Sequence, residues 1–229
     1  MNPLEKFGHK VCNTLVENFP QTFFVGGVVR DGYLNRKITD IDLATTATPG
    51  QVAELLRQKG IMCDTSHSKF GVVVAKQGNL NVEVATFRKE TYGHSRYPQI
   101  SYITNAKLDA KRRDFTVNAL YLQGITYRLL DYFGGKKDLK DKTIRFIGDP
   151  KKRIQEDPLR IIRALRFCII LGFKLEIKTK QAVKNNFYLV KTLTHTRLEK
   201  EILKLKNKKQ KIILQKVINS PILLDKYFK

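Results

Sequence analysis

The apolar positions of the chain sort into a helical opening, a stretch of alternating short strands and helices, and a long helical remainder. Leu4, Phe7, Val11, Leu15 and Val16 recur at helical spacing and predict a helix over residues 4–18, ended by Pro20. Thr22–Val25 is a short β-rich run that stops at Gly26-Gly27, and residues 28–34 read as a short helix. Residues 38–43 read as a second strand. After the Pro49-Gly50 break, residues 51–58 read as a helix. Residues 72–75 and 82–87 are two further strands separated by a Gly78-Asn79 turn signal. Residues 90–105 are polar, Tyr-rich and aperiodic, which predicts a mobile loop. A helix is expected over 112–120 and a strand near 128–130. After Asp149-Pro150 everything reads as helix, with Gly172 and Pro221 as punctuation. The expected organisation is an α/β domain over 1–148 and an all-α region over 149–229.

Charge narrows the possible partners. The 229 residues hold 43 Lys and Arg against 21 Asp and Glu, a net +22, while 42% hydrophobic content can sustain a core. The surplus is concentrated late, where residues 150–229 hold 21 Lys and Arg against 6 Asp and Glu. It points to a polyanion, nucleic acid before membrane; a Lys-rich proteome would give the same bias with no partner at all. The run KLKNKKQK (204–211) is either a solvated helix face or an RNA-backbone contact. Cys12, Cys63 and Cys168 lie far apart with no CxxC, and His9, His67, His94 and His195 are scattered. Neither a disulfide framework nor a zinc site follows, and reduced thiols in a cytoplasmic protein are expected. Residues 1–10 carry no apolar signal core, and no apolar run approaches the roughly 20 residues of a membrane span.

Three motifs carry chemistry. Gly26-Gly27-Val28-Val29-Arg30-Asp31 follows a strand and opens a helix, where exposed N–H groups suit a phosphate and Arg30 can add a charged bond. Alone, a GG pair is also a tight turn. Asp40-Ile41-Asp42 lies on an expected strand, so positions i and i+2 share a face. Two carboxylates there can hold Mg²⁺, though a D-x-D is also an ordinary polar strand edge. Residues 157–166 read as part of a helix, on which Glu156, Arg160 and Arg163 fall on one stripe flanked by Asp157 and Arg166. Ile154, Ile161, Ile162, Leu165, Cys168 and Ile169 form the opposing apolar face. Ion pairs along an amphipathic helix account for the charges but leave three arginines in seven positions unexplained. An Asp acceptor beside an Arg donor matches the amino group and ring nitrogen of cytosine or adenine, and mismatches uracil and guanine.

GGVVRD, DID, RRDFTVNAL (112–120) and EDPLRIIRALRF (156–167), in this order, together with DYFGGKKDL (131–139), resemble the class II tRNA nucleotidyltransferase and bacterial poly(A) polymerase family over about residues 20–175. The resemblance implies an α+β fold: a nucleotidyltransferase head of the DNA polymerase β type with a mixed sheet, then a helical neck and a short helical, RNA-binding C-terminal region. It implies Asp40 and Asp42 as metal-binding catalytic carboxylates with Mg²⁺ as cofactor, and Gly27 and Arg30 as nucleotide contacts. It further implies Arg113 as a contact to the incoming nucleotide, Asp114 as its ribose-associated neighbour, and Asp157, Arg160, Arg163 and Arg166 as the nucleotide-binding helix, with Asp157 and Arg160 reading the base. Residues 90–105 take the place of a flexible loop linked to adding the final A. Glu83 stands at a plausible third-carboxylate position. The family's neck helix usually opens on a Glu-Arg pair; the nearest match here is Thr196-Arg197, with Glu201 downstream.

The implied activity is addition of CCA to tRNA 3′ ends from CTP and ATP, with no membrane involved. The alternatives are a poly(A) polymerase, a CC-only or A-only tRNA nucleotidyltransferase, or a non-catalytic RNA-binding module.

Overall fold

The structure is a computed structural model and describes residues 1–92 and 98–228. The chain divides into two compact units. The first comprises Met1–Arg113 and Val117–Gly135; the second comprises Asp114–Thr116 and Lys136–Lys229. The division thus falls between Gly135 and Lys136, a dozen residues before the compositional change near 150.

The first unit is built on helix α1 (Pro3–Val16), strand β1 (Thr22–Val25), α2 (Gly27–Tyr33), β2 (Ile41–Thr45), α3 (Pro49–Gln58), β3 (Met62–Asp64), β4 (Val72–Gln77), β5 (Leu80–Thr86), β6 (Arg88–Thr91), β7 (Gln99–Tyr102), α4 (Ala106–Lys111), β8 (Leu120–Gln123) and β9 (Leu129–Asp131). Seven strands form one mixed sheet in the order β3-β4-β5-β2-β1-β8-β9, with β2 and β5 parallel and the other pairs antiparallel. Local chemistry sets the helix starts. Asn2 and Glu5 form a capping box on α1, and Thr48 and Gln51 form another on α3, each with proline in the first turn. Helix α1 lies so close to the sheet that a Cβ on Gly8 would stand 2.6 Å from Ile41 Cδ1, which is why glycine sits there. The core is closed by Phe23, Phe87 and Tyr121, whose ring centroids are 5.8–6.2 Å apart.

Several expectations are corrected. The helix over 112–120 is instead α4 (Ala106–Lys111), capped by Asn105, then a 3₁₀ turn at Thr116–Asn118 and strand β8. Residues within and just before the expected loop form the antiparallel pair β6–β7, with Arg88 opposite Tyr102 and Thr91 opposite Gln99. Ile100 is the single aliphatic residue of the pair and none of its residues is buried, so no apolar alternation announces the strands. The centre of that loop, residues 93–97, lies outside the described residues.

The second unit holds α5 (Gly135–Lys140, opening at the division), β10 (Thr143–Ile144), α6 (Pro150–Glu156), α7 (Leu159–Leu171), β11 (Lys174–Leu175), α8 (Ile177–Asn185), α9 (His195–Leu203), α10 (Lys208–Asn219) and α11 (Leu224–Tyr227). It is helical apart from β10 and β11, which pair in parallel; β11 falls within the region expected to be all-α. Ile154, Ile161, Ile162, Leu165 and Cys168 of the expected apolar face are buried, and Phe115, Phe146 and Phe167 pack beside them. The single helix expected around Asp157 is two helices. Pro158 disfavours helical geometry in the residue before it, and Asp157 is extended (φ −153°, ψ 105°).

Candidate active site

Strand β1 ends at Val25, and the chain turns at Gly26 (φ +72°) into α2. A Cβ at Gly26 would lie 3.4 Å from Asp42 Oδ2 and 3.5 Å from Arg113 Nη1, in a backbone region that favours glycine. The turn therefore brings main chain, carboxylate and guanidinium to one place. Gly27 is the first residue of α2, and Arg30 lies on the same short helix. Arg30 is buried: its Nε and Nη2 donate to Asp31 (2.9 and 2.7 Å) and its Nη1 donates to Asn118 Oδ1 (2.6 Å).

Asp42 lies in β2, but Asp40 does not. Strand β1 stops opposite Asp42 and the pairing with β5 begins at Ile41, so Asp40 lies just outside the strand; it is exposed and accepts from the Thr39 hydroxyl at 2.9 Å. The expectation of both carboxylates on one strand is corrected to that extent. The register sets Glu83 beside Asp42. It is the parallel partner of Asp42 on β5, and paired positions of adjacent strands share a face. Burial, then the charge of Glu83, push the Asp42 carboxyl up to about 6; Asp40 adds to this, while Arg113 and Arg30 oppose it.

Arg113 Nε donates to the Tyr121 hydroxyl (2.8 Å), its guanidinium stands 5.1 Å from that ring's centroid, and its Nη2 is 3.7 Å from Asp109 Oδ2. Burial opposes its charge, but Tyr121, Asp109 and Asp42 outweigh burial and hold it firmly protonated.

The second unit carries the other predicted residues. Asp157 is gripped by Arg197 Nη2 at 3.0 and 2.9 Å and accepts from the Leu159 N–H at 3.0 Å. Arg160 is buried, with Nη1 donating to the Arg153 carbonyl (2.7 Å) and to Glu156 (2.5 Å). Arg163 donates through Nε to Asp114 at 2.7 Å and also faces Glu201 at 3.7 Å. Asp114 is thus tied to Arg163 in this unit, while Arg113, its neighbour in sequence, belongs to the first. Arg166 Nε is 2.8 Å from Glu201 Oε2, and its guanidinium lies over the Phe167 ring at 4.3 Å. Glu201 is 3% exposed. Burial would raise its pKa, but Arg166, Lys204 and Arg163 together lower it. Side-chain exposure separates the set: Arg163 and Asp157 keep 29% and 25%, whereas Arg160 and Arg166 keep 8% and 9%.

Arg197 and Glu201 therefore buttress the arginine helix, although the sequence offers only Thr196-Arg197 where a Glu-Arg pair is expected. Asp109 and Tyr121 were not foreseen as partners of Arg113. The available signal was the spacing of Asp109 from Arg112 and Arg113, three and four positions on one helical face.

Among the described residues, no group of three or more His, Cys, Asp or Glu is gathered closely enough to hold a metal ion by itself. Mg²⁺ commonly takes one or two carboxylates and completes its shell with water and substrate phosphate. Asp42 and Asp40, hard oxygen donors whose repulsion a cation would relieve, fit that demand. No helix among the described residues is long and apolar enough to cross a membrane. Cys12 and Cys168 are free and buried, and burial pushes both thiols up to about 12.

The mixed sheet sets the Asp42 carboxylate of β2 beside the Gly26 turn, and likeness to known proteins identifies this unit as a nucleotidyltransferase head. The sequence model of the Poly A polymerase head domain matches residues 22–145, and the chain belongs to that family. Among curated relatives, the CCA-adding enzyme of Lactobacillus helveticus is 41% identical over 197 residues, covering 85% of this chain and 48% of that protein. The CCA-adding enzyme of Bacillus subtilis is 41% identical over 193 residues, covering 83% and 47%. Among solved structures, the Bacillus stearothermophilus CCA-adding enzyme in complex with CTP superposes with a TM-score of 0.78 at 32% identity, covering 88% of this chain and 48% of that one. A tRNA nucleotidyltransferase complexed with a primer tRNA and an incoming ATP analog gives 0.76 at 35% identity, covering 93% and 61%. The chain spans about half the length of the curated relatives it matches.

Proposed function

We propose that the chain is a template-independent nucleotidyltransferase that adds C and A to tRNA 3′ ends from CTP and ATP, releasing pyrophosphate. The observation that carries the reading is the meeting of Asp42, Arg113 and the Gly26 turn, with Glu83 in register beside Asp42. The likeness to CCA-adding enzymes, one of them in complex with CTP, supports the same substrates. In this reading the tRNA 3′-hydroxyl attacks the α-phosphorus of the nucleotide, and the bond from that phosphorus to the pyrophosphate oxygen breaks.

Asp40 and Asp42 would hold Mg²⁺, which lowers the cost of charge building on the attacking and leaving oxygens when bound. Gly27 offers its main-chain N–H at the start of α2, with Arg30 Nη2 3.6 Å from where a Cβ would stand. Arg113 supplies a permanent positive charge to the triphosphate. Arg30, oriented by its neighbour Asp31, ties α2 to Asn118 and adds positive potential at Asp42. In the second unit, Asp157 and Arg160 select cytosine and adenine, while Arg163 and Arg166 hold the helix and its charge in place. Arg197 fixes the Asp157 carboxylate so that its acceptors have a set direction. The basic second unit grips the RNA backbone, and the cytoplasm, where thiols stay reduced, is the proposed compartment.

The family's own description keeps a second reading in view, that of a poly(A) polymerase. Supplying CTP and ATP singly and together to tRNAs with graded 3′ ends decides between the two. Two C and one A added in order support CCA addition. An open-ended run of A on any RNA refutes it.

A further inference from the structure

We infer that Asp109 is a positioning residue that acts through the Tyr121 hydroxyl to fix the direction of Arg113 beside Asp42. The inference rests on the nucleotidyltransferase reading above. Asp109 lies on α4 and is fully buried. Its Oδ1 accepts from the Arg88 N–H (2.9 Å) and from Arg112 Nε (2.9 Å). Its Oδ2 accepts from the Tyr121 hydroxyl (2.5 Å) and faces Arg113 Nη2 at 3.7 Å. A buried carboxylate with about four acceptor sites is thereby surrounded by donors on both oxygens.

Tyr121 has one hydroxyl proton. Because Asp109 takes it, a lone pair of the same oxygen faces Arg113 and accepts its Nε–H at 2.8 Å. The direction of the relay is fixed by proton count: Arg113 donates to Tyr121, and Tyr121 donates to Asp109. Tyr121 is itself buried against Phe23 and Phe87, so its oxygen has little freedom to follow a different partner. Arg113 is consequently divided between two carboxylates of opposite duty. Asp109 takes part of its charge at the back, which leaves Asp42 at the front able to serve another cation. Without the relay, the guanidinium would lose its fixed direction beside Asp42 and Gly26. The bond from Arg88 N–H also ties strand β6 to the same carboxylate, so the base of the β6–β7 pair shares this anchor.

The test uses the full chain with Tyr121→Phe and Asp109→Asn. Tyr121→Phe keeps the ring and removes only the relay oxygen. In ¹⁵N-arginine NMR spectra, with the Arg113 signal assigned by its loss in Arg113→Lys, the Arg113 Nε–H is expected to exchange slowly in the parent chain. It should exchange at least about tenfold faster in Tyr121→Phe, the change expected for one lost charge-assisted bond. Unchanged protection in both variants overturns the inference, and this readout needs no turnover. In nucleotide-addition assays, KM for CTP and the half-saturating Mg²⁺ concentration should each rise about tenfold in Tyr121→Phe, with kcat changed much less. An equal fall in kcat with KM unmoved overturns it. A parent chain that transfers no nucleotide refutes the functional reading alone, because the exchange measurement still decides the relay.

Discussion

Replacing Asp42 by Asn should make the metal-free protein more stable while abolishing nucleotide transfer. The Asp42 carboxyl is raised from an ordinary 3.8 to about 6 by burial and by the negative charges of Glu83 and Asp40. In the unfolded chain those causes are absent. Between about pH 4 and pH 6 the native state therefore binds more protons than the unfolded state, and stability falls as pH rises through that window. Above it, the ionised native carboxylate carries the full penalty. A shift of about two pH units is worth about 3 kcal/mol, and solvent access to the half-buried group reduces this to about 2 kcal/mol. Asn keeps the shape and drops the charge. Thermal unfolding in EDTA from pH 4 to pH 8 should show no gain at pH 4, a gain growing toward pH 6, and a plateau beyond it. At roughly 2–4 °C per kcal/mol for a chain of this size, the plateau gain is several degrees. Added Mg²⁺ should stabilise the parent and leave the variant unmoved. A gain that is absent, or equal at pH 4 and pH 8, would refute the claim that charge crowding at Asp42 is held in reserve for a cation.

Other consequences are independent of that one. Glu201→Gln removes the carboxylate shared by Arg166, Arg163 and Lys204 and should cost about 3 kcal/mol, read as a lower denaturation midpoint; a loss within 0.5 kcal/mol, the size of an ordinary surface change, contradicts it. Arg197→Ala frees the Asp157 carboxylate and should admit UTP and GTP while CTP turnover falls less; unchanged selectivity would show that the Arg197 grip is only structural. Binding of tRNA should weaken steeply with salt, the logarithm of affinity falling by roughly 0.7–0.9 per phosphate contact for each logarithm of salt concentration, as a net charge of +22 implies. A nearly flat dependence contradicts an electrostatic grip.

The sheet strands that bury side chains were legible because burial writes a pattern. Strand β1 has the bounds expected of it, and the β4–β5 hairpin lies on either side of its Gly78-Asn79 turn. The β6–β7 pair was not legible, since Ile100 is its single aliphatic residue and none of its residues is buried, which leaves no period to read. Pro158 was in plain view, yet the charge stripe from Glu156 to Arg166 masked its effect on Asp157; the two helices flanking it happen to preserve both the stripe and its apolar face. Motif order pointed to Asp42, Arg113 and the arginine helix. Long-range partners were beyond reach of spacing. Arg197 meets Asp157 across 40 positions, and Glu83 meets Asp42 only through the strand register. Asp109 sat within one helical turn of Arg113, but its role depends on Tyr121, which enters from another strand.

The central claim is tested most directly by product length. Purified chain in Mg²⁺ is given tRNA lacking its terminal CCA, tRNA ending at the first C, and tRNA ending at the second C, with each nucleoside triphosphate alone and with CTP and ATP together. The account predicts that CTP alone extends only to the second C and that ATP alone adds a single A only where both C residues are present. The two together should complete CCA and stop, with UTP and GTP refused. Addition of A in long runs to all three acceptors, or incorporation of UTP and GTP at rates like those of CTP and ATP, would contradict it.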